Sequence, residues 1–235
     1  MLSGKEGITL HDSGFNWLHQ AVLKMGGKTI EAVEKATDAL VREDTDLAAA
    51  ARSLEKSVDA MYVIINERCL DLLSSRERNR TEVNFLASSL KIAVELERIC
   101  DYANQIAKLV QRKISLQATE ATDSLTEVVG KMRRETLYML KGAIAAYQAL
   151  DAEAAVKIDA NDCVVDQCNR QVFRDIVCIL SVHPWAQELV LDYHIAVRYI
   201  ERMADRATNI AELVYYIVNG QSFRDKTLPE GLFDD

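Results

Sequence analysis

Glu55 and Asp59, Glu97 and Asp101, Asp162 and Asp166, and Glu201 and Asp205 are four pairs of acidic residues spaced four apart. Four residues of α-helix advance about 400°, so each pair projects from one face with its side chains a turn apart. Like charges at that spacing repel by a few tenths of a kcal/mol on an exposed helix. Each pair begins one residue past or close beside an apolar seam position (Leu54, Leu96, Val165, Ile200), so it borders the core, where repulsion costs more. Converging carboxylates share protons, are matched by Lys or Arg, or bind a cation. Oxygen-only ligation suits hard ions such as iron, manganese, magnesium or calcium. The competing reading is a solvated face on which Arg98, Arg202 and Arg206 make ion pairs.

Other chemistry is sparser. His194 lies seven residues before Glu201, nearly on the same face, and is a candidate to join that site. Cys100 sits inside the Glu97–Asp101 motif, but a thiolate is a poor companion for hard carboxylates, and a small buried residue is expected there. No E-x-x-H occurs, which argues against a ferritin-like di-iron oxidase. Phosphate-cradling glycine loops and nucleophile elbows are missing too, and four scattered histidines assemble no nucleophile–base pair. The expectation is a binding protein, not an enzyme.

The elements that position the carboxylates are helices. Leu47, Ala51, Leu54, Val58, Met61, Ile65 and Leu72 follow a 3-4 alternation, as do Ile92, Leu96, Ile99, Ala103, Ile106 and Val110. Leu189, Tyr193, Ala196, Ile200, Met203, Ala207, Ile210, Val214 and Ile217 repeat it most regularly. Six helices are predicted, at about 13–42, 46–74, 81–115, 122–150, 152–181 and 185–219. Asp44 and Asp46 suit a turn and cap, residues 74–80 form a charged connector, Pro184 fits the first turn of the last helix, and Gly220 stops it. Residues 221–235 read as a partly ordered tail.

An internal repeat sets the domain count. Residues 97–110 (ERICDYANQIAKLV) and 201–214 (ERMADRATNIAELV) are identical at eight of fourteen positions, at an offset of 104. The expected architecture is all-α, two tandem three-helix bundles at residues 1–117 and 118–235. The second and third helices of an up-down-up bundle are adjacent and antiparallel, so the two carboxylate pairs of each unit can face each other.

Composition agrees. Across 235 residues, 49% are apolar and the net charge is −8, with two prolines and nine glycines, too few turn-formers for a many-stranded β protein. The acidic balance excludes bulk nucleic-acid binding. Cys69, Cys100, Cys163, Cys168 and Cys178 form no CxxC pair and read as reduced thiols. Without an apolar leader or a membrane-length apolar stretch, a cytoplasmic location is expected.

The segment LDYHIAVRYIERMADRATNIAELVYYIVNG, with the earlier LKIAVELERICDYANQIAKLV, resembles the PhoU family of phosphate-signalling proteins. Lys24–Gly26, with Met25 before glycine, also looks like the family. The resemblance covers most of residues 15–220 and implies two three-helix bundles whose E(D)xxxD motifs bind multinuclear iron or zinc clusters. It matches those motifs to Glu97/Asp101 and Glu201/Asp205, with Glu55/Asp59 and Asp162/Asp166 on the second helices. The chain departs from the family at Arg76–Asn79, where a proline-containing connector is usual, at Cys100 in place of glycine, and at Arg206 in place of His or Tyr. By resemblance, the function is repression of phosphate uptake between a phosphate ABC transporter, through its ATPase subunit, and a membrane sensor histidine kinase. Membrane association would then run through those partners, and a homodimer is compatible with it. A metal-dependent enzyme acting on a phosphorylated substrate and a metal-free helical scaffold are the alternatives.

Overall fold

The computed structural model describes residues 12–112, 120–159 and 162–221. They form seven α-helices: α1 (Ser13–Arg42), α2 (Thr45–Ser74), α3 (Arg80–Gln111), α4 (Glu120–Ala149), α5 (Ala152–Asp159), α6 (Asp162–Val182) and α7 (Gln187–Asn219). A 3-10 turn, Pro184–Ala186, precedes α7. The helix expected over 152–181 is described in two parts, α5 and α6, and residues 160–161 between them lie outside the described ones. Both pack on α4 and α7. Pro184 belongs to the separate 3-10 turn, not to the first turn of α7, because its fixed φ suits any helical start and the tighter turn reaches Ala186 with a bond from its N–H to the His183 carbonyl. The expected tail, from residue 222 on, lies outside the described residues.

Local chemistry explains most boundaries. Asp44 caps α2, accepting from the N–H groups of Asp46 and Leu47, after Glu43 has turned the chain in the left-handed region. Asn79 and Glu82 form a reciprocal capping box at the start of α3. The charged connector before it is pinned, because Arg78 is almost wholly buried, lies over the Phe15 ring at 5.1 Å and donates to the Leu72 carbonyl. Gly220, at φ 71°, ends α7 with a left-handed cap that few other residues adopt without strain.

Helices α1, α2 and α3 form one bundle; α4, α5–α6 and α7 form the other. The bundles meet where α3 packs on α7 and α1 on α4. They do not keep separate cores. Tyr147 of α4 is fully buried against the first bundle, its hydroxyl 2.8 Å from that of Ser89 and its carbonyl 3.1 Å from His19 Nε2. Arg133 of α4 reaches Asp38 of α1 at 2.8 Å and donates to Thr37.

The α3–α7 seam carries the internal repeat as an approximate two-fold. The helices run past each other in opposite directions, with Arg206 Nη1 bonded to Glu95 at 3.1 Å and Tyr102 stacked on Tyr199 at 5.8 Å. Glu95 and Tyr199, like Tyr102 and Arg206, are separated by the repeat offset of 104, so the two contacts are equivalent positions of one interface. One is an ion pair and the other a ring stack.

Gly26 sits where α1 crosses α4: a Cβ there would lie 2.9 Å from Ile144 Cδ1 and 3.2 Å from its Cγ1. Gly26→Leu is expected to destabilise the fold by about 1–3 kcal/mol through overpacking. Gly27→Ala, with nothing within 4 Å of the new methyl, should be neutral or stabilising by up to about 1 kcal/mol. Urea unfolding of both variants checks this, and equal effects would contradict the close approach.

Candidate metal centre

The seams place the carboxylates. On α3, Ile92, Leu96, Ile99, Ala103 and Ile106 are fully buried, as Val58 and Ile65 nearly are on α2, and this zips the two helices together antiparallel. Glu55 and Asp59 on α2, and Glu97 and Asp101 on α3, lie at the edge of that seam. One carboxylate oxygen each from Glu55, Asp59 and Asp101 lies within 4.8 Å of the others. Glu97 is not in this trio, but its charge is felt across it. Burial raises the Glu97 pKa, Asp101 adds to the rise, Arg98 opposes it, and Asp59 and Glu55 contribute further.

The trio behaves as a repelling group. Burial raises the Asp59 pKa, and Asp101 raises it further. Behind them, the buried Cys100 thiol is pushed far up, first by burial and then by Glu55, Asp59, Asp101 and Glu97. This cysteine is a packed residue, as expected, and offers no thiolate. Partial neutralisation comes from Arg98, 3.5 Å from Glu97 and 3.8 Å from Asp101. Of the three arginines expected to compete with a cation, Arg98 alone pairs directly with the motif acids; Arg202 lies over the Tyr102 ring at 5.8 Å and Arg206 reaches Glu95.

One participant was missed. Asn104 Nδ2 donates to Glu55 Oε1 at 2.5 Å, while its Oδ1 is buried and accepts no hydrogen bond among the described residues. An unpartnered carbonyl oxygen beside three carboxylates fits a hard cation's preference for oxygen donors. Asn104 lies three residues past Asp101, on the same helical face. The spacing E-x-x-x-D-x-x-N was the available signal.

The second bundle repeats the arrangement with changed details. Asp166 on α6 and Glu201 and Asp205 on α7 influence one another; burial raises the Asp205 pKa first, then Glu201 and Asp166, with Arg206 and Arg198 opposing. Asn169, three residues past Asp166, donates to Glu201 Oε1 at 3.1 Å, the counterpart of the Asn104–Glu55 bond on the opposite helix. Arg198 donates to the same Glu201 oxygen at 2.8 Å, and Arg170 lies 3.9 Å from Asp166. Asp162 opens α6, and its side chain lies outside the described residues. His194 contacts Phe173 rather than the carboxylates. Two of five cysteines, Cys163 and Cys178, are exposed, and none of the five forms a disulfide among the described residues.

The raised acids predict an inverted pH response in chelated protein. A carboxyl with a raised folded pKa costs stability as pH rises through that value, because the folded state then resists losing the proton. Asp59→Asn should therefore stabilise the chain at pH 7, and the gain should fade as pH is lowered towards about 4. Urea midpoints across that range measure it; a variant that destabilises equally at both ends would contradict the repulsion.

Comparisons with known proteins place this geometry. The family model described as PhoU domain matches twice, over residues 22–110 and 129–214. The Phosphate-specific transport system accessory protein PhoU of Escherichia coli (strain K12) is 32% identical over 203 residues, spanning 86% of this chain and 83% of that protein. The homolog of that accessory protein from Pseudomonas aeruginosa is 32% identical over 206 residues, with the same shares. The crystal structure of PhoU from Pseudomonas aeruginosa superposes with a TM-score of 0.85 at 28% identity, covering 89% of this chain and 99% of that one. The phosphate transport system regulatory protein PhoU from Streptococcus pneumoniae shares the fold, with a TM-score of 0.78 at 24% identity over 88% of this chain and 96% of that one. Two matched repeats, a shared fold and relatives above 30% identity along most of its length make this chain a member of the PhoU family.

Proposed function

We propose that the chain regulates phosphate uptake and phosphate signalling by cation-dependent docking on its partners. The observation that carries this reading is the convergence of Glu55, Asp59 and Asp101 beside the unpartnered Asn104 carbonyl oxygen. Relatives named as phosphate-specific transport system accessory proteins supply the phosphate link. The partners proposed are the ATPase subunit of a phosphate ABC transporter and a sensor histidine kinase. No helix among the described residues is long and apolar enough to cross a membrane, so membrane association would run through them.

In this reading Glu55, Asp59 and Asp101 hold one cation group, with Glu97 at its rim, and Asp162, Asp166, Glu201 and Asp205 hold the second. The bound cations, an iron or zinc cluster or single hard ions, supply positive charge. The chain's own residues do the rest. Asn104 and Asn169 orient the first acid of each facing motif, and Arg98 and Arg198 keep part of the negative charge neutralised when no cation is bound. Cation loading turns a negative face neutral or positive, which changes the partner surfaces able to approach. Binding suits the first of these sites better than nucleophilic catalysis, because Cys100, the cysteine within its motif, is buried as a neutral thiol.

Asp101→Asn combined with Asp205→Asn should remove most tightly bound metal while leaving the helices folded, as metal content and circular dichroism would show. The same variant should lose cation-dependent binding to the transporter ATPase subunit or the sensor kinase, and should fail to restore repression of phosphate uptake in a deletion strain. Unchanged uptake on deletion, in both rich and limiting phosphate, would overturn the phosphate role.

A further inference from the structure

The groove between α6 and α7 holds a second constellation, of opposite sign, directly beside the acidic face. A cavity of about 450 Å³ is lined by Asn169, Arg170, Phe173 and Arg174 from α6 and by His194 and Arg198 from α7. Arg170 and Arg174 are one helical turn apart, as are His194 and Arg198, so the basic side chains converge from both walls. Two of the three guanidiniums are tethered at the edge of the cavity: Arg198 Nη1 bonds Glu201 at 2.8 Å and Arg170 Nη1 lies 3.9 Å from Asp166. Arg174 Nη2 donates to Gln171 Oε1 at 2.6 Å.

Each guanidinium carries five N–H donors, so these contacts leave most of them unspent. His194 Nδ1 is buried and has no hydrogen-bond partner among the described residues. Phe173 stands edge-on to the His194 ring at 6.2 Å and gives the cavity one apolar side. Three arginines line the cavity, and none of the side chains lining it is acidic. Planar guanidinium forks are matched in geometry by tetrahedral and planar oxyanions, and a dianion with several acceptor oxygens uses the most donors at once.

We propose that this cavity binds a phosphate-class oxyanion, either inorganic phosphate or the phosphoryl end of a small ester. Arg174 and Arg198 are its main donors, one from each wall, with Arg170 and Asn169 completing the polar rim. The site stands independently of any cation at the acidic face. The shared residues nevertheless couple the two, because neutralising Asp166 and Glu201 would free Arg170 and Arg198 to turn towards the anion.

Equilibrium dialysis of labelled inorganic phosphate against the full chain, with chelator present so that no bound cation contributes, tests the proposal. Saturable binding near one phosphate per chain is expected, at least tenfold weaker in Arg174→Gln and in Arg198→Gln and unchanged in Arg68→Gln, an exposed arginine on α2. Arg174 bonds only within its own helix, so its variant keeps the fold, which circular dichroism would verify. Absence of saturable phosphate binding, or equal binding by Arg174→Gln, overturns the proposal. So does arginine-dependent binding to phosphatidylglycerol vesicles without any affinity for free phosphate, which would make the groove a lipid-headgroup contact. Failure of phosphate binding in chelator would leave the cation reading of the acidic face untouched.

Discussion

Three carboxylates within 4.8 Å of one another are held together against their own repulsion, and the apolar seam behind them does the holding. Val58, Ile65, Leu96, Ile99 and Ile106 are each at most 1% exposed. A fully buried side chain of this size stabilises by about 1.5–3 kcal/mol. An i,i+4 pair of like charges at a surface costs only a few tenths of a kcal/mol. Burial therefore wins comfortably, and the acidic face can be kept in a strained electrostatic state without unfolding the bundle. This surplus is what allows a binding site to exist before its ligand arrives.

The same logic is used twice, around an approximate two-fold at the α3–α7 seam. Because α3 and α7 each serve a bundle and the interface between bundles, both faces of each helix are apolar: Ala93, Cys100 and Ala107 on α3, and Val197, Ala204 and Ala211 on α7, are buried in addition to the seam positions. The duplicated sites have since diverged in charge. The first keeps one arginine at its rim, whereas the second is flanked by Arg170 and Arg198, which belong equally to the neighbouring basic groove.

Much of this was legible in the sequence because helical periodicity and duplication are strong local signals. Every seam residue read on α3 is buried, and so are Tyr193, Ala196, Ile200, Met203, Ala207, Ile210, Val214 and Ile217 on α7. The α2 seam is looser, with Leu47, Leu54 and Met61 only partly buried, since that helix packs on α1 and α3 within its own bundle and not on the second bundle. The convergence of Glu55 with Asp59 and Asp101 followed from antiparallel packing, but the exact membership did not: Glu97 stands aside from the trio and Asn104 stands within reach of it. Those assignments depend on the register between helices, which the spacing within one helix does not encode. Arg78 reads in the sequence as part of a charged connector, and only the tertiary position of Phe15 explains its burial.

Metal-edge anomalous diffraction from crystals of protein purified without chelator tests most directly whether the acidic faces are cation sites held in place by the fold. The account predicts anomalous density in contact with Glu55, Asp59 and Asp101, and a second feature against Asp166, Glu201 and Asp205. Crystals soaked in iron, zinc or manganese in which these carboxylates are matched only by Arg98, Arg170, Arg198 and water, with no anomalous density at either face, would contradict it.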